Sequence, residues 1–151
     1  MASSDADPLA AELGLEPLDR EGGRFASTHR DEVFSAIYYL LTPGEKSHLH
    51  LLPGPELYVF HGGAPLDLLL LHPEGDVERV ALGLDVAAGQ RPQHLVPGGS
   101  WQGSTTTGDW TLVGTVMVPP FDDAHYVHGT RADLVAGWPT AAPRILELTD
   151  A

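Results

Sequence analysis

KSHLHLLPGPELYVFHGG (residues 46–63) places two histidines one residue apart and a glutamate just beyond a proline-glycine turn. Successive side chains of a strand point to opposite faces, so His48 and His50 share a face if the strand is regular. The LPGP turn reverses the chain and brings Glu56 opposite His50. Two imidazoles and a carboxylate suit a divalent ion such as Zn, Ni, Fe or Mn. The stretch therefore predicts two strands that carry either a metal site or a plain polar face, because His-x-His pairs also arise by chance.

The rest of the chain continues this pattern of short apolar runs that end at glycine or proline, which is typical of an all-β sandwich or barrel. The pattern predicts about eight strands, at residues 34–41, 46–51, 56–61, 66–72, 77–83, 92–96, 101–104 and 110–118. The LLLL run at 68–71 indicates a strand that is buried on both faces or that lies at an interface.

Helical signals occur only near the two ends of the sequence. Asp5 or Asp7 is a candidate cap for a short helix through LAAELG that Gly14 ends. We expect residues 1–7 to be frayed and flexible, and residues 130–148 to contain one or two weak helical turns. The chain shows no repeat and no linker, so we expect a single domain over residues 1–151.

The composition excludes several classes of function. The absence of cysteine from the 151 residues rules out disulfides, thiolate metal sites and cysteine nucleophiles. Eight Lys and Arg against 21 Asp and Glu give a formal charge of −13, so neither nucleic acid nor an anionic membrane is an expected partner. No apolar run approaches the roughly 20 residues of a membrane span, and the first residues do not resemble a signal peptide. We therefore expect a cytoplasmic protein.

Two groups of residues resemble the two sequence motifs of the cupin superfamily. Similar to the first motif are Gly44, His48, His50, Glu56 and Gly62. Similar to the second motif are Gly89, Pro97 and Gly99, followed by Gln102 where the motif has a histidine. The resemblance implies a double-stranded β-helix, also called a jelly roll or cupin barrel, with a site for a small molecule inside it.

Longer segments resemble the short single-domain cupins of the cupin-five type, whose biochemistry is largely unassigned. These segments are LGLEP (13–17), EGGRF (21–25), SAIYYLLTPGE (35–45), PQHLVPGGSWQ (92–102), TLVGTVMVPPFD (111–122) and DDAHY (122–126). His48 stands where members of this family often have a small residue. The resemblance also implies a homodimer, and the IYYLL and LLLLH runs offer apolar strand surface for it.

The resemblance implies a site inside the barrel. The implied metal ligands are His48, His50, Glu56 and Gln102. An amide oxygen is a poorer ligand than an imidazole nitrogen for these ions, so the presence of a metal stays open. Glu56 and His50 are the expected catalytic residues. The expected ligand-binding residues are Tyr38, Tyr58, Phe60, Gln102, Tyr126, Arg24 and Glu21.

Three functions are compatible with such a site. The first is an enzyme that isomerises, epimerises or dioxygenates a small sugar-like molecule or organic acid, either with a divalent metal or without one. The second is a cupin that binds a small ligand without turnover. The third is a structural dimer with a vestigial pocket.

Overall fold

The structure is a computed structural model that describes residues 2–151, with side chains from residue 5 onward. Within that range the strands are β1 (Glu16–Pro17), β2 (Arg24–Arg30), β3 (Ser35–Leu41), β4 (Ser47–Leu51), β5 (Glu56–Gly63), β6 (Leu66–Leu71), β7 (Val77–Leu82), β8 (Gln93–Val96), β9 (Trp101–Thr106), β10 (Thr111–Met117) and β11 (Val127–His128). The α-helices are α1 (Ala2–Leu13), α2 (Arg131–Gly137) and α3 (Ala142–Glu147). Short 3₁₀ turns occupy Val86–Ala88, Asp123–His125 and Pro139–Ala141.

The strands form two antiparallel sheets that enclose the main core. One sheet has six strands in the order β1-β2-β3-β10-β5-β8, and the other has five in the order β11-β4-β9-β6-β7. Strands that are consecutive in sequence repeatedly switch sheets, as β3, β4 and β5 do. The predicted jelly-roll arrangement, with a helix before it and short helices after it, is confirmed.

All eight predicted strands are present, with ends that differ from the prediction by at most two residues. Three strands were not predicted, namely β1, β2 and β11. β1 and β11 are only two residues long, and β2 reads RFASTHR, which is largely exposed and lacks a repeating apolar face. Sequence periodicity detects a strand only when one of its faces is apolar, so the sequence does not predict these three segments.

Strand β6 is buried on both of its faces, as its run of leucines predicted. Leu68 and Leu70 belong to the core between the two sheets. Leu69 and Leu71 belong to a second core between the five-stranded sheet and the helices α2 and α3. These four side chains are 0% exposed. They therefore leave no apolar surface for the predicted dimer.

Helix α1 covers the outer side of the six-stranded sheet. Its Ala6 and Ala10 pack against Leu40 and Leu112, and it ends where Gly14 adopts a φ of 68°, as predicted. It begins at Ala2, earlier than the predicted caps, and the predicted flexible segment 1–7 lies partly outside the described residues. Within residues 2–151, no helix combines the length and the apolarity that crossing a membrane requires.

Candidate functional site

A cavity of about 330 Å³ opens between the two sheets. Its volume suits a small molecule. The apolar side chains in its walls are Leu18, Phe25, Ile37, Leu52, Met117 and Phe121. The polar side chains that line it are Asp19, Arg20, Glu21, Ser27, Arg30, Ser35, Tyr39, Glu56, Tyr58, Thr115, Asp123 and Tyr126. The cavity therefore combines apolar side chains with polar groups directed into it, as small-molecule sites do.

Glu56 is the buried acid of this cavity. It is the first residue of β5, directly after the turn, and it is 8% exposed. Burial raises the pKa of its carboxyl, and the neighbouring charge of Glu21 raises it further. His50 and hydrogen bonds to Thr115 and Gln102 act in the opposite direction without cancelling the rise in pKa. Glu56 therefore holds its proton to a higher pH than an exposed glutamate does.

Gln102 does not line the cavity but holds two residues that do, Tyr58 and Glu56. Its side chain is 1% exposed, and its Oε1 accepts a hydrogen bond from the hydroxyl of Tyr58. Burial raises the pKa of Tyr58 well above its ordinary value, with a further rise from the charge of Glu56. Gln102 thus has the partner that a buried amide needs, and it links Tyr58 to Glu56.

A second polar group of the cavity is built around Glu21. Ser47 Oγ donates to Glu21 Oε2 over 2.8 Å, and His50 Nε2 lies 3.7 Å from Glu21 Oε1. The ring of His50 stacks on that of Tyr126, with 5.2 Å between their centroids. His50 Nδ1 donates to the carbonyl of His48 over 2.7 Å. His50 is therefore oriented by one nitrogen while its other nitrogen faces a carboxylate.

A bulge in β4 separates His48 from His50. On the neighbouring strand β9, Ser47 pairs with Ser104 and His50 pairs with Gln102, so two residues of β4 lie opposite the single residue Gly103. A side chain at Gly103 would meet Leu49 Cγ at 2.9 Å. The bulge keeps Ser47 and His50 directed toward Glu21. His48 is displaced from the face that regular alternation predicts for it.

His48 lies outside the barrel interior, against β11 and the glycine that follows it. Its ring stacks on His128 with centroids 3.6 Å apart, and its Nε2 donates to the carbonyl of Gly129 over 3.0 Å. Its Nδ1 lies 3.8 Å from Asp150 Oδ2. One ligand atom from each of His48, His128 and Asp150 lies within 4.8 Å of the others. These three residues could hold a metal ion, and we call them the outer histidine cluster.

The interior residues do not fit the four-ligand metal site that the motif implies. His48 is turned away from the interior, and Gln102 Oε1 already accepts a hydrogen bond from Tyr58. Among the described side chains, the outer histidine cluster is the group of three or more His, Asp or Glu residues whose ligand atoms come within 4.8 Å, and no such group lies inside the barrel. The structure thus brings His50, Glu56 and Gln102 together but not His48.

The predicted ligand-binding residues are divided in the same way. Tyr58, Glu21 and Tyr126 line the cavity. Phe60 packs against the core between the sheets. Tyr38 lies outside the barrel with its ring edge-on to His61, 5.8 Å between centroids, and Arg24 pairs with Asp7 over 3.4 Å. Those last two residues do not reach the cavity.

Sequence patterns do not predict several of the residues that line the cavity. Tyr39 lines the cavity in place of its neighbour Tyr38, and alternation from Ser35, the first residue of β3, places it there. Arg20 forms an ion pair with Asp123 over 2.6 Å, and its guanidinium lies 4.4 Å from the centroid of the Tyr126 ring. Arg20 and Asp123 are far apart in sequence, so no local pattern predicts their contact.

Comparison with known proteins identifies the family. The Cupin_5 family model, described as cupin superfamily (DUF985), matches residues 7–128. The chain belongs to the Cupin_5 family. This confirms the resemblance found in the sequence. No curated protein matches the chain.

Solved structures agree with this assignment. This Cupin_5 chain is similar to a crystal structure of a protein from Shewanella oneidensis, with a TM-score of 0.90, 36% identity, and coverage of 96% of this chain and 97% of the other. It is also similar to a hypothetical protein from Leishmania major, with a TM-score of 0.87, 27% identity and coverage of 97% and 99%. A cupin 2 conserved barrel domain protein from Rhodopseudomonas palustris shares the fold at 15% identity, with a TM-score of 0.64 and coverage of 91% and 90%.

Proposed function

We propose that this cupin is an enzyme that moves a proton on a small polar substrate, an organic acid or a sugar-like molecule, bound in the cavity between the sheets. The observation that carries the proposal is Glu56. It is a buried carboxyl with a raised pKa in the wall of a cavity of about 330 Å³. A carboxyl that holds its proton to a higher pH than an exposed glutamate does is suited to general acid catalysis.

The two polar groups of the cavity supply complementary roles for this chemistry. Glu56 serves as the proton donor, with Thr115 and Gln102 holding its carboxyl. His50 serves as the base, because its Nε2 faces Glu21, which lines the cavity, while the carbonyl of His48 fixes its ring. A substrate carbon next to a carbonyl can then lose a proton to one group and gain one from the other, which is an isomerisation or epimerisation.

The rim of the cavity favours a substrate that carries a negative charge or several hydroxyls. Arg30 lines the cavity and has no ion-pair partner among the residues whose side chains are described. A guanidinium in this position can bind a carboxylate with two parallel hydrogen bonds. Ser27 lines the same rim and provides a hydroxyl for a polar substituent.

A hydrogen-exchange experiment tests the proposal. A thermal-shift screen of organic acids and sugars first identifies a ligand, which is then incubated with the protein in D₂O and followed by ¹H NMR. The proposal expects loss of a carbon-bound proton signal, abolished in Glu56→Gln and retained in Glu74→Gln, an exposed loop glutamate. A bound ligand that never exchanges its protons would refute the enzyme and support the alternative below.

The alternative is a cupin that binds a small ligand without turnover. Burial raises the pKa values of Tyr39 and Tyr58 well above the ordinary value, so neither hydroxyl acts as a base, and Gln102 is engaged with Tyr58. These contacts make part of the polar wall a fixed hydrogen-bonding surface. A saturable ligand without proton exchange is the expected result for this function. A screen with no ligand of either class would favour a vestigial pocket.

We also propose a homodimer. Support comes from exposed apolar side chains at the edge of the six-stranded sheet, where Leu95 of β8 is 56% exposed and the nearby loop residues Leu84 and Val86 are 67% and 54% exposed. Apolar side chains at an unpaired strand edge favour association with a second copy. Sedimentation equilibrium at twice the 16.1 kDa chain mass, reduced toward the monomer mass by Leu95→Lys, is the expected result. A monomer mass for the unaltered chain would refute it.

A further inference from the structure

We propose that the outer histidine cluster (His48, His128 and Asp150) binds a divalent transition metal ion of the zinc class, outside the barrel interior. The proposal goes beyond the function proposed for the cavity and does not depend on it. The three ligand atoms already lie within 4.8 Å of one another. Two imidazoles and one carboxylate with a water molecule make a common tetrahedral set for such an ion.

The strongest support is an unpaired nitrogen on a buried side chain. His48 is 2% exposed, and its Nε2 bonds to the carbonyl of Gly129. A carbonyl can only accept, so Nε2 carries the proton and Nδ1 of the neutral ring presents a lone pair. Among the described residues this Nδ1 has no hydrogen-bond partner. Buried polar atoms are rarely left unpaired, and a metal ion would give this lone pair a partner.

The other two members of the cluster repeat this arrangement. His128 Nδ1 bonds to the hydroxyl of Tyr126 over 2.9 Å, which leaves its Nε2 available. Asp150 Oδ1 accepts from Lys46 Nζ over 2.9 Å, which leaves its Oδ2 available. Each of the three side chains is thus oriented through one polar atom while the other is free. Partners of this kind fix the direction and the tautomer of metal ligands in known sites.

Metal binding requires one local adjustment. The rings of His48 and His128 are stacked with an interplanar angle of 15°, and lone pairs of stacked rings do not converge on one point. His128 is exposed and belongs to the two-residue strand β11 at the edge of its sheet, so its ring can tilt while His48 stays fixed. A bound ion would then fasten the segment after α3, through Asp150, to β4 and β11.

A metal titration tests the proposal on the full chain, purified without a histidine tag and stripped of metal. Isothermal titration with ZnCl₂ should show one equivalent bound, and Co²⁺ in its place should give the absorption of a tetrahedral site. Loss of an outer partner alone lowers metal affinity roughly 10- to 100-fold. His128→Ala and Asp150→Ala remove ligands and should lower the affinity at least that much. His125→Ala, another exposed histidine, is the matched control and should leave it unchanged.

Two results would overturn the proposal. One is a folded chain that takes up no stoichiometric Zn²⁺ or Co²⁺. The other is uptake that His50→Ala abolishes and His128→Ala leaves intact, which would place the ion inside the barrel. Because His128 and Asp150 are exposed, their replacement should not unfold the chain, and circular dichroism of each variant verifies this. The test therefore does not rely on replacing the buried His48.

Discussion

Strands β6 and β4 lie in the same sheet. They differ in how well the alternation of their sequences predicts which side of the sheet each side chain faces. In β6 alternation is unbroken, with Leu68 and Leu70 inside the barrel and Leu69 and Leu71 against the outer helices. In β4 a bulge places His48 outside and His50 inside, although the two share a face in a regular strand. One inserted residue therefore separates His48 from the other three predicted metal ligands and places it in the outer histidine cluster.

The largest expected effect tests whether both faces of β6 contribute equally to stability. Leu70→Ala opens a cavity between the sheets and Leu69→Ala opens one beneath the helices, and both side chains are 0% exposed. Each should lower the free energy of unfolding by about 2–5 kcal/mol, measured by urea denaturation. Leu146→Ala, on a leucine that is 48% exposed, should stay within about 0.5 kcal/mol. A small effect for Leu69→Ala alone would mean that the outer core is not a full core.

The next prediction tests whether Gly103 is needed for the bulge of β4. In Gly103→Ala the new methyl group would lie 2.9 Å from Leu49 Cγ and 3.0 Å from the carbonyl oxygen of Ser47, so the bulged residues must shift. Overpacking of this kind lowers the free energy of unfolding by about 1–3 kcal/mol. Gly137→Ala, whose added methyl group would meet no atom within 4 Å beyond its chain neighbours and its own helix backbone, is the control and should be neutral or stabilising by up to about 1 kcal/mol. Equal stabilities of the two variants would show that Gly103 is not needed for the bulge.

The two strands also show which features of the fold and the site can be predicted from the sequence. Runs such as LDLLLL and TLVGTVMV have strong apolar patterns, and strands were found at each of them. The bulge follows from a glycine on a neighbouring strand rather than from any pattern within KSHLHL, so alternation alone placed His48 on the wrong side of β4. The clusters around Glu21 and Asp150 join residues distant in sequence, and such contacts emerge only from the fold.

A smaller difference in the free energy of unfolding is expected between two tyrosine variants, one on the inner wall of the barrel and one on its outer side. Tyr58→Phe removes the hydroxyl that donates to Gln102 Oε1 and leaves a buried amide oxygen unpaired, which costs about 1–3 kcal/mol. Tyr38→Phe is the matched control. Its hydroxyl forms no hydrogen bond with the side chains or backbone of the described residues, so its effect should stay within about 0.5 kcal/mol. Similar losses in both variants would contradict the role assigned to Tyr58.

The last prediction concerns the charge of Glu56 and requires stability to be measured over a range of pH. Burial raises the pKa of Glu56 above the ordinary value of 4.5, so between 4.5 and the raised pKa the folded chain binds more protons at this residue than the unfolded chain does. The contribution of Glu56 to stability is then fully present below pH 4.5 and is lost as the pH rises through its folded pKa.

Glu56→Gln mimics the protonated acid and does not titrate. The variant and the unaltered chain should have similar melting temperatures near pH 4, and the variant should become the more stable of the two as the pH approaches 8. The difference between the two melting curves cancels the other titrating groups, and Glu74→Gln should show no such divergence because its carboxyl is exposed. Parallel curves for Glu56→Gln and the unaltered chain would mean that Glu56 titrates like a surface glutamate, and the acid proposed for the cavity would lose its chemical basis.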